Sequence, residues 1–184
     1  MSPSDKKLQK WMILLRAVNV SGKNIIKMEK LRELLGKAGF KNVKTYIQSG
    51  NIVLESDIDN PDTLAKNIEN LIETNFGYQV PAIVRSEEVY SALIKNNPFK
   101  EHSFAENEKL YVSFLKNSPS DADIKIVEAY SNEKEVFKVL GSQIYVVCVK
   151  DGSKLQFSNA FLEKKLKIAA TTRNWASVNK IFNL

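Results

Sequence analysis

Two hydrophobic periods alternate along this chain, and they do so twice in the same order. Short apolar runs of strand character are separated by stretches in which apolar residues recur every three or four positions, the spacing of one helix face. In the first half, residues 11–18 read as a strand ended by the polar segment 19–24. Met28, Leu31, Leu34 and Leu35 then share a helical face that Gly39 terminates. Residues 43–48 and 52–55 read as strands about the turn Ser49-Gly50-Asn51. Asn60-Pro61 opens a helix carrying Leu64, Ile68, Leu71 and Ile72, residues 80–84 make a fourth strand, and Ser86 caps a helix bearing Val89 and Leu93. The second half repeats the order. Strand 109–115, helix 120–130, hairpin strands 135–140 and 144–149 about Gly141-Ser142, helix 159–167, strand 168–171 and a closing helix 173–182 follow in turn.

This pattern predicts an α/β (α+β) chain of two consecutive ferredoxin-like β-α-β-β-α-β halves, each with a trailing helix, packed as one compact module. The expected division is 1–95 for the first half, 96–108 for a connector and 109–184 for the second half. The repeat lies in element order and not in residue identity. A domain of 184 residues buries roughly 70% of its unfolded surface and needs no disulfide or metal staple. The single Cys148, in the apolar run Tyr145-Val146-Val147-Cys148-Val149, reads as a buried structural thiol and suits a reducing compartment. The apolar stretch after the charged N-terminal segment is broken by Arg16, too short for a signal-peptide core, and no segment has transmembrane length. A cytoplasmic location is therefore expected.

Net charge is +6, distributed as +8 over residues 1–50, −7 over 51–149 and +5 over 150–184. Basic ends that met in the fold would form a surface for phosphate, carboxylate or nucleic acid; the alternative is solvated helix faces. Topology narrows the place. In a β-α-β-β-α-β unit, the connector after the first strand and the hairpin between the second and third lie at the same end. That brings 19–23 towards 48–51. There Gly22 frees the backbone, Arg16 and Lys23 supply charge, and Asn19, Asn24, Gln48, Ser49, Gly50 and Asn51 supply amides, a hydroxyl and a turn. Alternatively, the glycines are turn residues and the asparagines bond to their own backbone. No Walker A loop or dinucleotide fingerprint is present.

A second candidate segment is Thr172-Arg173-Asn174, before Trp175. Thr172 is expected to cap the last helix, with Arg173 and free N–H groups able to hold a phosphate. Trp175, Val178 and Phe182 share a helical face, which makes Trp175 either core or a stacking platform. Residues for catalysis are not identified. His102 is the one histidine and lies in the connector, so no multi-histidine metal site or Cys/His pair is expected, and no cofactor is implied.

Three segments carry a family resemblance: Leu14-Leu15-Arg16-Ala17-Val18-Asn19-Val20-Ser21-Gly22-Lys23-Asn24 with Lys27-Met28, Thr45-Tyr46-Ile47-Gln48-Ser49-Gly50-Asn51, and Ala170-Thr171-Thr172-Arg173-Asn174-Trp175. With Asn97-Pro98-Phe99 and Ser153-Lys154-Leu155, they resemble the bacterial family of unknown function designated DUF1697. Members of that family often have Gly at the positions of Ala17 and Ser21. The resemblance implies a module of two ferredoxin-like halves and singles out the polar segments chosen above; it implies no reaction or substrate.

Two readings of different class follow. The first is a protein that binds, or acts on, a small anionic ligand such as a nucleotide or phosphorylated metabolite. The second is a nucleic-acid-binding module on a ferredoxin-like sheet, for which the strands 52–54 and 144–149 offer one aromatic, Tyr145, and no RNP motif. An interaction scaffold built on ferredoxin-like edges stands as a third.

Overall fold

The structure is a computed structural model and describes residues 7–184. Its elements are β1 (Gln9–Leu15), α1 (Met28–Lys37), β2 (Lys41–Tyr46), β3 (Asn51–Ser56), α2 (Pro61–Phe76), β4 (Ala82–Ser86) and α3 (Glu87–Lys95), then β5 (Glu108–Leu115), α4 (Asp121–Glu128), β6 (Glu135–Leu140), β7 (Gln143–Val149), α5 (Asn159–Leu166), β8 (Ala170–Asn174) and α6 (Trp175–Phe182). The β-α-β-β-α-β order therefore occurs twice, with a helix after each. Two four-stranded sheets result, ordered β2-β3-β1-β4 and β6-β7-β5-β8, with every neighbouring pair antiparallel. The chain divides into two compact units. One contains the residues up to Ser91 together with Ile181–Leu184, and the other is Ala92–Lys180.

In the first unit, alternate residues of the central strands point to opposite faces. Ile13, Leu15, Ile52 and Leu54 meet Leu31 and Leu35 of α1 and Leu64 and Ile68 of α2 in one core. Each such side chain contributes about 1.5–3 kcal/mol by leaving water. Met12, Leu14 and Ile83, on the opposite face, are buried as well. Asn60 caps α2 through its side chain, which accepts from the N–H groups of Asp62 and Thr63, and Gly77 ends the helix in the left-handed conformation. The second unit has a matching core of Leu115, Ile144, Val146 and Cys148 against Val127 of α4 and Leu162 of α5.

Several boundaries differ from the hydrophobic pattern. β1 ends at Leu15 and β2 at Tyr46, because Ala17 (φ 55°) and Ile47 (φ 49°) turn into the left-handed region and break the regular ladder; within β2, Asn42 (φ 49°) does so at the cost of an irregular register between Lys41 and Lys44. Val89, expected to face inward, is 45% exposed; Tyr90 and Leu93 are the buried residues of α3. The last helix starts at Trp175. Thr172 and Arg173, expected at its N-terminus, belong to β8, where Thr172 pairs with Ser113 and Arg173 with Val112 of β5. Pairing with β5 overrides local helix signals, and Asn174 supplies the cap by accepting from the Ser177 N–H at 2.8 Å. Among the described residues, no helix is long and apolar enough to cross a membrane.

Candidate functional site

The connector after β1 and the β2–β3 turn converge in the first unit. Leu15 donates its N–H to Gly50 O at 2.8 Å. Gly50 has φ +77°, and a Cβ there would sit 2.7 Å from Leu15 Cβ, so only glycine fits. The buried Asn51 closes the turn, donating from Nδ2 to Tyr46 O and Ser49 Oγ, both at 3.0 Å.

The connector itself is a miniature hairpin. Val20 and Lys23 form an antiparallel bridge, with Lys23 N–H donating to Val20 O at 2.9 Å. Ser21 (φ 49°) and Gly22 (φ 76°) occupy the two central positions of that turn, both left-handed as a type I′ turn needs. Below it, Asn19 donates its backbone N–H to Asn24 O at 3.2 Å. Its side chain grips Ile26 from both sides, accepting from the N–H and donating to the carbonyl, each at 2.9 Å. The same Nδ2 donates to Gln48 O at 2.8 Å. Asn24 Nδ2 donates to Ala17 O at 2.9 Å. Asn19, Asn24 and Asn51 therefore bond to the protein's own backbone and hold the two segments in register.

What this frame presents outward is a smaller set. Lys23 and Gln48 are exposed, while Arg16 and Ser49 are half-buried. The N–H groups of Ser21 and Gly22 make no hydrogen bond among the described residues. The same segments carry three exposed aliphatic side chains: Val20 at 55%, Ile25 at 53% and Ile47 at 51%. Ile47 is a β-branched residue held at positive φ, an arrangement that costs of order 1–3 kcal/mol. Isolated aliphatics inside the turns, Val20 beside Ser21-Gly22 and Ile47 beside Gln48-Ser49, were the sequence signal for this rim.

In the second unit, the Thr172-Arg173-Asn174 segment is bound up internally. Thr172 Oγ1 donates to Asn159 Oδ1 at 2.6 Å and lies 2.7 Å from Ser113 Oγ. The buried Arg173 donates to Thr171 Oγ1 and to Thr172 O, both at 2.8 Å. Asn174 is exposed and lines a groove of about 570 Å³ together with Phe104, Tyr111, Lys150 and Trp175. Trp175 is half-buried there, a place between the two expectations for it.

A family model described as protein of unknown function, DUF1697, matches residues 8–145. The chain belongs to the DUF1697 family. Over 96% of its length it is similar, with a TM-score of 0.76 and 23% identity, to 98% of the conserved bacterial protein SP0830 from Streptococcus pneumoniae. That likeness is one of fold. Comparison with curated proteins gave no match. Both positions where DUF1697 members often carry glycine, Ala17 and Ser21, are left-handed in this chain.

Two reactive side chains of this DUF1697 member, Cys148 and His102, are held within the fold. Burial, with a smaller contribution from Glu135, pushes the Cys148 thiol up to about 11, so it stays protonated at neutral pH. His102 is engaged with Glu108, Nε2 to Oε2 at 3.0 Å. Among the described residues no group of three or more His, Cys, Asp or Glu could hold a metal ion.

Proposed function

We propose that the loop end of the first unit binds a small anionic ligand, a phosphate- or carboxylate-bearing metabolite. Arg16 and Lys23 supply the charge, Gln48 and Ser49 the oriented polar groups, and the N–H groups of Ser21 and Gly22 further donors. Val20, Ile25 and Ile47 offer apolar contact to the rest of the ligand. The observation that carries this reading is a contrast within the chain. The second unit closes the equivalent end with connector 116–120 and the turn Gly141-Ser142, whereas the first uses connector 16–27 and turn 47–50, holding Ala17, Asn19, Ser21, Asn24 and Ile47 in the left-handed region. Five non-glycine residues are left-handed in these two segments, whereas the corresponding connector and turn of the second unit hold none and its one such residue among those described is Lys167 after α5; this concentration of backbone strain is what supports a binding site here. The strand orders β2-β3-β1-β4 and β6-β7-β5-β8 support assigning both halves to the ferredoxin-like class.

The test is calorimetric titration with inorganic phosphate, pyrophosphate, sugar phosphates and mononucleotides, repeated on Lys23→Ala and Arg16→Ala. A charge-assisted bond is worth about 1.5–3 kcal/mol, so each variant should bind the best of these at least about tenfold more weakly. Unchanged affinity in both variants would remove the ligand from this end. Response only to RNA or DNA oligomers, weakening steeply with salt, would replace this reading with the nucleic-acid one.

A further inference from the structure

The groove in the second unit is a separate feature, of which the sequence singled out only Asn174 and Trp175. It is lined by Leu110 and Tyr111 of β5, by Phe104 between α3 and β5 and by Trp175 at the start of α6. Phe104 is 43% exposed although it is a large aromatic. It is not loose: its ring meets His102 edge-on at 4.6 Å, and His102 is tied to Glu108. The Glu108 carboxylate also accepts from Ala105 N–H at 2.9 Å, fixing the chain on either side of Phe104. Trp175 is fixed from the other direction by the β8 pairing and the Asn174 cap. Two aromatic side chains are thus held on rigid supports with part of their surface left to solvent.

Charge at the same groove is positive. Lys109 and Lys150 line it, and neither pairs with a carboxylate among the described residues. Lys150 Nζ lies 5.1 Å from the Tyr111 ring centroid, and Lys109 Nζ donates to the Glu106 carbonyl at 3.1 Å. The one acid in the lining, Glu108, is already occupied by His102 and Ala105. A volume of about 570 Å³ lies within the range of pockets that enclose small molecules.

We infer that this groove binds an aromatic anion, its flat ring against Phe104 and Trp175 and its phosphate or carboxylate at Lys109 and Lys150. Ring stacking on an aromatic side chain supplies affinity without sequence or edge recognition, and the lysines select for negative charge. The inference does not depend on the loop end of the first unit, and the two are separable by mutation.

Calorimetry with the full chain tests it. The probes are adenosine monophosphate, indole-3-carboxylate, adenosine and ribose 5-phosphate. An aromatic anion should bind at least about tenfold more tightly than adenosine, which lacks the charge, or ribose 5-phosphate, which lacks the ring. Whichever of the first two binds better identifies the anion as nucleotide or simple aromatic acid. Phe104→Ala, at an exposed side chain, should weaken that binding at least about fivefold. Lys150→Ala should weaken it and flatten its salt dependence. The inference is overturned if neither aromatic anion binds, if ribose 5-phosphate binds as well as adenosine monophosphate, or if Phe104→Ala has no effect. Loss of binding in Lys23→Ala instead would move the ligand to the first unit and overturn the groove assignment while supporting the loop-end site.

Discussion

At the end of β1, Leu15 donates its N–H to Gly50 O at 2.8 Å and Arg16 donates to Pro81 O at 2.9 Å; at the end of β5, Leu115 donates to Ser142 O and Lys116 to Ala169 O, both at 2.9 Å. The first N–H of β4, on Ala82, goes to Glu69 of α2 at 2.8 Å, and that of β8, on Ala170, to Glu163 of α5 at 3.0 Å. Arg85 and Arg173 are both buried, and each donates to the carbonyl of the residue before it. Ser86 and Asn174 then accept from Val89 and Ser177 as the trailing helices begin. A residue-level repeat, Ala-x-x-Arg followed by a capping side chain, therefore underlies the repeat of elements. What distinguishes the halves is a strained hairpin connector and a 16-residue α2 in the first, and an 8-residue α5 and an aromatic groove beside the last strand in the second. The comparison teaches that the frame is duplicated while the loop end of one half and the groove of the other are not.

The sharpest way to break that comparison is at the shared bond. Gly50 and Ser142 offer the same carbonyl to β1 and β5, and Gly50 lies directly under the Leu15 side chain. Gly50→Ala adds left-handed strain to a 2.7 Å clash with Leu15 and should cost about 2–5 kcal/mol. Ser142→Ala gives up the hydroxyl that accepts from Gln143 Nε2 at 3.1 Å and should cost about 1 kcal/mol. Urea unfolding of the two variants measures both. Equal losses would mean that the two turns bear the same packing and that the first is not specially constrained.

Much of this frame was legible in the sequence. The hairpin about Gly141-Ser142 and the Asn60-Pro61 helix start have local causes, turn chemistry and capping, that act wherever they occur. The convergence of Asn19 with Gln48 followed from strand direction alone. What failed was reading β1 to Val18 and β2 to Gln48, because hydrophobicity reports burial and says nothing about the sign of φ. Val18 is buried, but outside the strand. Thr172 and Arg173 looked like a helix start because Thr is a good cap; Asn174, two residues on, is another, and pairing of β8 with β5 chose between them. The groove was illegible for a different reason. Asn174 and Trp175 were singled out, but Phe104, Lys109 and Lys150 come from separate stretches of chain, and no local pattern joins them to that segment.

A second test raises stability where the first lowers it. If Ala17 and Ser21 hold left-handed conformations that glycine adopts freely, Ala17→Gly and Ser21→Gly should each stabilise the protein by about 1 kcal/mol, offset in part by the greater freedom of the unfolded chain. Thermal melting measures the gain. A loss in both variants would show that the strain is relieved in solution, and the contrast between the connectors would lose its meaning. Pairing the melts with ligand titration tells whether the rigid Ala and Ser sharpen the site: weaker binding in a more stable variant is the signature of strain kept for function.

The smallest effect separates the units by acid. Three carboxylates of the second unit, Glu108, Asp123 and Asp151, are held below their ordinary range. Glu108 is lowered by the Ala105 N–H and then by His102, Asp123 by the Ser120 hydroxyl and N–H of its capping box, and Asp151 by Lys134 and then Ser153. A carboxylate whose folded pKa is depressed adds stability that is complete above its unfolded pKa, about 4, and is lost as pH falls through the folded value. Asp151 is exposed and Glu108 and Asp123 are half-buried at the surface, so the loss is modest and shrinks with added salt. Trp11 lies in the first unit and Trp175 in the second, so single-tryptophan variants report each in turn. Between pH 7 and pH 3, the urea midpoint seen by Trp175 in Trp11→Phe should fall further than that seen by Trp11 in Trp175→Phe. If the first unit falls as far or further, its stability depends on acidic contacts of equal weight, and the electrostatic difference between the halves disappears.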